Sequence, residues 1–481
     1  MLKTSIGRTA NARMLLLASV AACIAAPQAA AAQDGQASDA GDQVVAQEAV
    51  SNGNEIIVTA TKREQTLQDV PVAVSVVTAE AIQRAEIRDL KDLTTIVPSL
   101  RVTQLQSSAN TNFIIRGFGN GANNAGIEPS VGVFVDGVYR SRTAAQINDL
   151  PNISRVEVLR GPQSTLFGKN ASAGVISIVT EEPQFDLGGS VEASYGNYNA
   201  MVARGYVTGP LSEAVAVSIA GGWSQRDGYI RDLGTGDRTN ERNRWFARGQ
   251  ILIEPSSNFK ARIIADYDSI DENCCGVVNL QSSLPPQLGG PPGGGATVVI
   301  QQLGGGVTDP DHPYADVVYG NRNSTNDIQN WGISAQFDLD LGGAQVTSIT
   351  AYRNNSSVTA QDPDFTSADL INPLAADVDI DTFTQELRVN ADIGDVAHVL
   401  LGAFYIKDKV DQTGELYWGS QARPYASALI GSLSGGSVPN ILYLEGLLGT
   451  LEGNPAKYIN SFFRAGDGND ETFGLDSEAF S

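Results

Sequence analysis

The sequence predicts a small mixed α/β domain followed by an antiparallel transmembrane β-barrel. Three observations predict it. Beyond residue 32 no apolar run approaches the roughly 18 to 20 residues of a membrane-crossing helix, so a membrane-inserted chain must cross as strands. From Gly188 onward, apolar and polar residues alternate with the two-residue period of a strand that has lipid on one side and a polar lumen on the other. The connections between those strands alternate short and long. A water-soluble sandwich accounts for the alternation of side chains but not for this parity, which belongs to barrels with periplasmic turns and extracellular loops.

Taken in order, residues 1–32 read as a secretory signal peptide: Lys3 and Arg8 make a positive start, 14–26 is apolar, and 29–32 offers a small-residue cleavage site. Cys23 would suit lipoprotein processing, but the apolar run continues past it. Residues 33–54 are small and polar, which predicts a disordered tail. EIIVTATKRE at 55–64 then reads as an extended strand with nothing beside it to pair with.

Residues 70–183 have the composition of a mixed α/β unit. PVAVSVV (71–77) is a strand, and Thr78 can cap a helix with Glu80 in its first turn. Leu90, Leu93 and Ile96 or Val97 predict a second short helix that ends at Pro98. FIIRG (113–117), VGVFVDGVY (131–139), VEVLRGP (156–162) and GVISIVT (174–180) are further strands. Gly117, Gly137, Gly161, Gly168 and Gly174 are expected to serve turns. GFGNGA at 117–122 matches a dinucleotide fingerprint, but Pro129 follows too soon for the helix that fingerprint requires.

The region 188–481 is predicted to be barrel. In AVAVSIAGGWS, Val215, Val217, Ile219 and Trp223 oppose Ala216, Ser218, Ala220 and Ser224; Trp245, Ala247, Ile251 and Ile253 likewise oppose Arg248 and Gln250. Tight turns are expected near 209–213, 254–258, 340–344 and 392–397. Long loops are expected at 227–241, 276–327, 354–379 and 409–475. This gives about nine strands between 188 and 408 and a tenth beginning at DSEAFS, an incomplete set for a bacterial barrel.

Composition narrows the function. With 54 acidic against 32 basic residues, the net charge of -22 argues against nucleic-acid binding, which needs clustered cations. Two histidines, His312 and His398, leave little for imidazole chemistry, and no nucleophile, base and orienting group come together. Neither enzymatic activity, nor a cofactor, nor a metal site is expected. Cys274 and Cys275 close a strand that points outward; a vicinal disulfide and a bridge to a partner both remain open. Asp362, Asp364 and Asp369 read as solvated loop charge, with cation binding as the lesser alternative.

The ordered set EIIVTATKRE, FIIRGFG, VFVDGVY and VEVLRGPQSTLFGKNASAGVISIVT, followed by alternating strands, resembles the TonB-dependent outer-membrane receptors. The resemblance covers 55–481. It implies a TonB box at 55–64, a plug domain at 70–183 and about 9–10 strands of a barrel that has 22 in this family, hence an N-terminal fragment. It implies import of a scarce solute across the outer membrane, a ferric siderophore or other metal chelate first, oligosaccharide or cobalamin as the alternative. A passive porin is the rival of another class. The implied partners are TonB, energised by ExbB and ExbD, together with outer-membrane lipid and lipopolysaccharide. Glu55, Ile56, Ile57, Val58, Thr59, Ala60 and Thr61 would add as a strand to TonB; the plainer reading makes them the first strand of the domain. Arg116 and Arg160 would face barrel glutamates, Glu386 among them, as a latch between plug and barrel. Ordinary surface arginines are the plainer reading there.

Overall fold

Alternation after Gly188 builds one ten-stranded antiparallel sheet whose strands pair in sequence order. The computed structural model describes residues 56–481 other than 64, 121–123, 148, 150–151, 279–294, 310 and 395. The expected signal peptide, tail and Glu55 lie outside the described residues.

The inner domain runs through β1 (Ile57–Val58), β2 (Gln65–Thr66), β3 (Val74–Thr78), α1 (Ala79–Arg84), β4 (Leu100–Gln104), β5 (Thr111–Ile115), β6 (Val131–Val135), β7 (Val138–Arg140), β8 (Ile153–Arg160), α2 (Ser164–Phe167) and β9 (Gly174–Thr180). Its central sheet has the order β3-β8-β9-β6-β7, with β6 and β9 parallel and the other pairs antiparallel. Thr78 caps α1 as expected, its hydroxyl accepting from the Ala81 amide at 3.4 Å. The second expected helix is a single 3-10 turn, Asp92–Thr95. VGVFVDGVY is two strands rather than one, because Asp136 and Gly137 both take positive φ (48° and 76°) and fold β7 back on β6. Strand β4 was not expected; it pairs with β5 as a separate hairpin. Leu93, Ile115, Val156, Val158 and Ile176 fill the core between these layers.

The large sheet contains β10 (Gly188–Gly196), β11 (Ala200–Ser212), β12 (Val215–Arg226), β15 (Arg242–Ser256), β16 (Phe259–Asn273), β18 (Thr325–Asp340), β19 (Ala344–Gln361), β20 (Ile371–Ile393), β21 (Ala397–Trp418) and β22 (Gly468–Phe480). Its order is open at both edges. Ile219 and Trp223 are exposed on the outer face of β12, whereas Ala216, Ser218 and Ser224 are buried on the other, and β15 repeats this with Trp245 outward and Arg248 inward. Stacked Trp245 and Tyr267, with Trp331 beside Tyr352, place an aromatic band on the outer face, the position of an interfacial girdle.

Connections at 213–214, 257–258, 341–343 and 394–396 are tight, and the long ones lie at the opposite end of the strands, the Asn197–Asn199 turn between β10 and β11 being the short exception there. The strands overrun the expected loops. Strands β19 and β20 leave only 362–370 between them, and β22 begins at Gly468, well before DSEAFS. Polar alternation such as DVDID continues a ladder beyond the apolar band, where hydropathy no longer marks it.

The long connections carry β13 (Ile230–Asp232), β14 (Arg238–Thr239), α3 (Gly295–Gln302), β17 (Val317–Val318), α4 (Ala422–Leu433) and α5 (Ile441–Leu451). Glu445 of α5 is fully buried. It takes Arg423 in a two-bonded pair (2.8 and 2.7 Å) and the amides of Asn460, Ser461 and Phe462 at 2.8 to 3.0 Å. The Arg423 guanidinium, with those amides, holds its carboxyl down to about 2, from an ordinary value of 4.5. A depressed folded value contributes stability above pH 4.5 that is lost as pH falls toward 2. Proteolysis of 419–467 should therefore stay slow to about pH 4 and accelerate below it, and Glu445→Gln should be cleaved quickly already at pH 7.

Candidate functional site: the docked N-terminal segment and the polar wall

The segment at 56–63 is not free. Lys62 donates its amide to the Thr59 carbonyl (2.9 Å), turning the chain so that β1 pairs antiparallel with β2, Ile57 opposite Thr66 and Val58 opposite Gln65. The expected unpaired strand is thus a two-residue hairpin, because the turn returns the chain onto itself and supplies the partner that local sequence did not reveal. Val58 and Ala60 are wholly buried in a cluster with Phe134, Phe167 and Ile406, the last from the large sheet. Burial of Val58 stabilises docking by about 1.5–3 kcal/mol.

Polar bonds fix the segment on two sides. Toward the inner domain, the Thr59 amide and hydroxyl donate to Glu157 Oε1 at 2.9 and 3.1 Å, while Arg155 holds the same oxygen at 2.7 Å. Toward the large sheet, Lys62 Nζ donates to Glu386 Oε2 at 3.1 Å, and Arg63 Nε to Asn390 at 2.9 Å. The Lys62 ammonium also lies 4.4 Å from the ring centre of Phe167 and 5.3 Å from that of Phe134.

Glu386 was expected to face Arg116 or Arg160. Instead its partners are Lys62 and Arg388, the latter at 3.3 Å, and among the described residues neither Arg116 nor Arg160 makes an ion pair. Arg116 has φ 52° in a tight turn that closes on Ile115 and Phe118, and its side chain is exposed. Arg160 is half-buried, and its Nε has no hydrogen-bond partner. Polar bonds between domain and wall run in both senses: cations of the inner domain meet sheet carboxylates, as Arg142 meets Asp408, and carboxylates of the inner domain meet arginines of the sheet. Asp136 takes Arg248 and, at 3.4 Å, Arg262, while its two oxygens accept the Thr180 amide and hydroxyl at 2.9 Å. Asp89 takes Arg242 (2.5 Å) and Arg244 (3.3 Å), and Arg244 continues to Glu272 at 2.5 Å. Gly137 signalled a turn; nothing local announced that the Asp136 carboxylate reaches the wall.

All five expected turn glycines have positive φ. Gly174 opens strand β9 rather than a turn, and glycine is needed there for space: a Cβ would run into the Leu159 carbonyl and meet Ile115 Cδ1 at 2.7 Å. Residues 124–130, after the dinucleotide-like glycines, contain no helix. Cys274 and Cys275 are bonded to one another, and the Cys275 amide donates to the Gln106 carbonyl of the inner domain at 3.2 Å.

Of the acidic trio at 362–369, Asp362 is buried, whereas Asp364 and Asp369 are half-buried. Asp362 is buried and accepts the Asn321 amide at 2.9 Å; burial, then the charge of Asp364, pushes its carboxyl up to about 7. Asp364 binds Thr366, and Asp369 binds Ser420. The three do not converge, and among the described residues no cluster of three or more His, Cys, Asp or Glu side chains is arranged to hold a metal ion.

A cavity of about 420 Å³ lies between the inner domain and strands β19 to β22. Amides and hydroxyls such as Asn110, Asn355, Thr359 and Gln412 line it alongside aliphatic groups and the carboxylates Glu415 and Glu471. Among its lining residues there is no aromatic ring, and the one basic side chain, Arg142, is committed to Asp408 at 3.4 Å and to the Ala125 carbonyl at 2.8 Å.

Residues 66–175 match the family model described as the TonB-dependent Receptor Plug Domain. The chain is 31% identical over 212 residues to an iron-regulated outer membrane virulence protein of Vibrio cholerae, covering 40% of this chain and 31% of that protein. It is 30% identical over 193 residues to a vitamin B12 transporter of Vibrio vulnificus, covering 39% and 30%. It therefore spans about a third of the length of these curated relatives. Its fold is like that of the ferric yersiniabactin uptake receptor of Yersinia pestis, with TM-score 0.60, 17% identity, and 72% of this chain and 50% of that one covered. An inner domain whose residues 66–175 match the plug model, packed against ten strands of outward-apolar wall, gives this chain an architecture similar to that of the TonB-dependent outer-membrane receptors.

Proposed function

We propose that this receptor imports a scarce solute across the bacterial outer membrane, that TonB takes hold of residues 55–61, and that the cargo is a ferric siderophore or other metal chelate. One observation carries the reading: the N-terminal segment is docked by a two-residue hairpin and a handful of polar bonds that touch plug and barrel wall together. Few bonds make release inexpensive, and contact with both parts lets a rearrangement of either one weaken the grip. Once released, an extended segment with Ile57 exposed adds to the edge of a TonB sheet through backbone hydrogen bonds. Force from the ExbB–ExbD complex on this handle then rearranges the plug. In this reading the plug and N-terminus are periplasmic, and the aromatic band meets lipid and lipopolysaccharide. The names of an iron-regulated relative and of a yersiniabactin receptor support a metal chelate as cargo.

Oligosaccharide or cobalamin is the second reading, favoured by the cavity. Its amide and hydroxyl lining, with no ring and no uncommitted cation, suits a neutral ligand rich in hydrogen-bonding groups. Titrating the purified TonB periplasmic domain onto the receptor, with and without ferric siderophore, cobalamin or a neutral oligosaccharide, tests both. Cargo-enhanced binding that Ile57→Pro weakens at least tenfold is expected, since proline removes a backbone donor. Equal binding by wild type and Ile57→Pro, or none by either, would leave a passive barrel as the better account.

A further inference from the structure

Four charges close a ring between the inner domain and the wall. Arg142 Nη1 donates to Asp408 Oδ2 of β21 at 3.4 Å, and the same oxygen lies 3.6 Å from Lys169 Nζ. Lys169 donates to Glu128 Oε1 at 2.6 Å, and that oxygen lies 3.8 Å from Arg142 Nη2. Arg142 and Asp408 are buried, and Lys169 and Glu128 are half-buried. Two cations and two carboxylates balance, so each is desolvated beside neighbours of opposite sign, and removing one leaves the others short of a partner.

One side of the ring is the 420 Å³ cavity. Arg142 lines it while its Nε holds the Ala125 carbonyl at 2.8 Å, and Ala125 and Ile127, just ahead of Glu128, line it too. The other side is the seat of the N-terminal segment. Lys169 stands in a turn with positive φ at Gly168 (77°) and Asn170 (67°). Phe167, two residues before it, packs with Val58 and Ala60 and lies 4.4 Å from the Lys62 ammonium. Asn170, after it, donates to the hydroxyl of Tyr139, whose ring belongs to the same cluster, at 2.8 Å. Two residues span at most about 7 Å, so where the Lys169 backbone is held limits where the Phe167 ring can sit. Among the described residues no member of the ring has a hydrogen bond or ion pair to 56–63, so its influence on that segment is indirect.

We propose that Lys169 is a positioning residue: held by Glu128 and Asp408, it sets the Phe167 seat on which residues 56–63 dock, and it makes docking respond to the cavity. A ligand group that draws on Arg142 takes from the charge given to Asp408 and Glu128, so occupancy and docking compete for the same bonds. This rests on the proposed roles of the cavity and of residues 55–61. Maleimide labelling of Val58→Cys in the detergent-solubilised chain, with neither TonB nor cargo present, reads docking directly. Lys169→Met should raise the rate roughly tenfold or more, and Glu128→Gln should raise it too, whereas Lys169→Arg, which keeps the cation, should stay within about threefold of the unaltered chain. Combining Glu128→Gln with Lys169→Met should add less than the two separate effects, since the two charges act as a pair. A cysteine in the inner core, Val156→Cys, should keep its slow rate in every background, which separates a displaced seat from a loosened domain. If Lys169→Met fails to fold, Glu128→Gln, which removes the shortest contact of the ring, decides. Unchanged labelling of Val58→Cys, or an equal rise at Val156→Cys, overturns the proposal. Because TonB is absent from the assay, a chain that fails to bind TonB can still pass it, and the two readings fail separately.

Discussion

Glu386→Gln is expected to undock residues 56–63 while leaving strand β20 in place. The Lys62 ammonium is buried, and Glu386 is the only carboxylate it pairs with among the described residues. A glutamine there strands a desolvated charge, and removing one partner of a buried pair costs about 3–5 kcal/mol. Lys62→Met is expected to cost far less. Methionine keeps an aliphatic chain against the Phe134 and Phe167 rings, and Glu386 retains Arg388 at 3.3 Å. This asymmetry distinguishes an electrostatic lock from mere packing. The probe is maleimide labelling of Val58→Cys, since Val58 is wholly buried when docked. Its labelling rate should rise roughly a hundredfold or more with Glu386→Gln, following the opening equilibrium, and less than tenfold with Lys62→Met. Equal rates in the two backgrounds would show that the pair does not hold the segment.

Asp136→Asn should loosen the plug as a whole. The carboxylate faces both Arg248 and Arg262, each buried on the wall, and asparagine leaves two guanidinium groups short of their shared counter-ion. Because asparagine tolerates the positive φ at 136, the β6–β7 turn survives and the effect is electrostatic. Arg248 keeps Asp266 at 3.3 Å, which limits the loss to about 3–5 kcal/mol. A lower denaturant midpoint for the inner domain, with the strand signal of the wall unchanged, is the expected outcome; a change below about 1 kcal/mol would mean that these pairs contribute no more than exposed ones do.

Much of the fold was legible because it rests on local periodicity. Ser218 and Ser224 inward, Ile219 and Trp223 outward, and short turns at 257–258 and 341–343 all follow from a side-chain period of two and from turn chemistry, so the face of each strand could be read from its neighbours. The positive φ at Gly117, Gly137, Gly161 and Gly168 was likewise foreseeable from residue type. Where the strands end was not, since past the lipid the outward face no longer needs to be apolar, and only pairing with the neighbouring strand shows that 371–393 is continuous.

Partnership was decided by the tertiary structure alone. Lys62 and Glu386 are 324 positions apart, Asp136 and Arg248 are 112, and no local pattern distinguishes the lysine at 62 from the arginines at 116 and 160 as the cation that reaches Glu386. Sequence by itself determined a plug, a barrel wall and a strand-like segment ahead of them. Which charges meet across the interface, and whether that segment is free or docked, depend on how the chain closes in space, because each is a contact between groups that only folding makes neighbours.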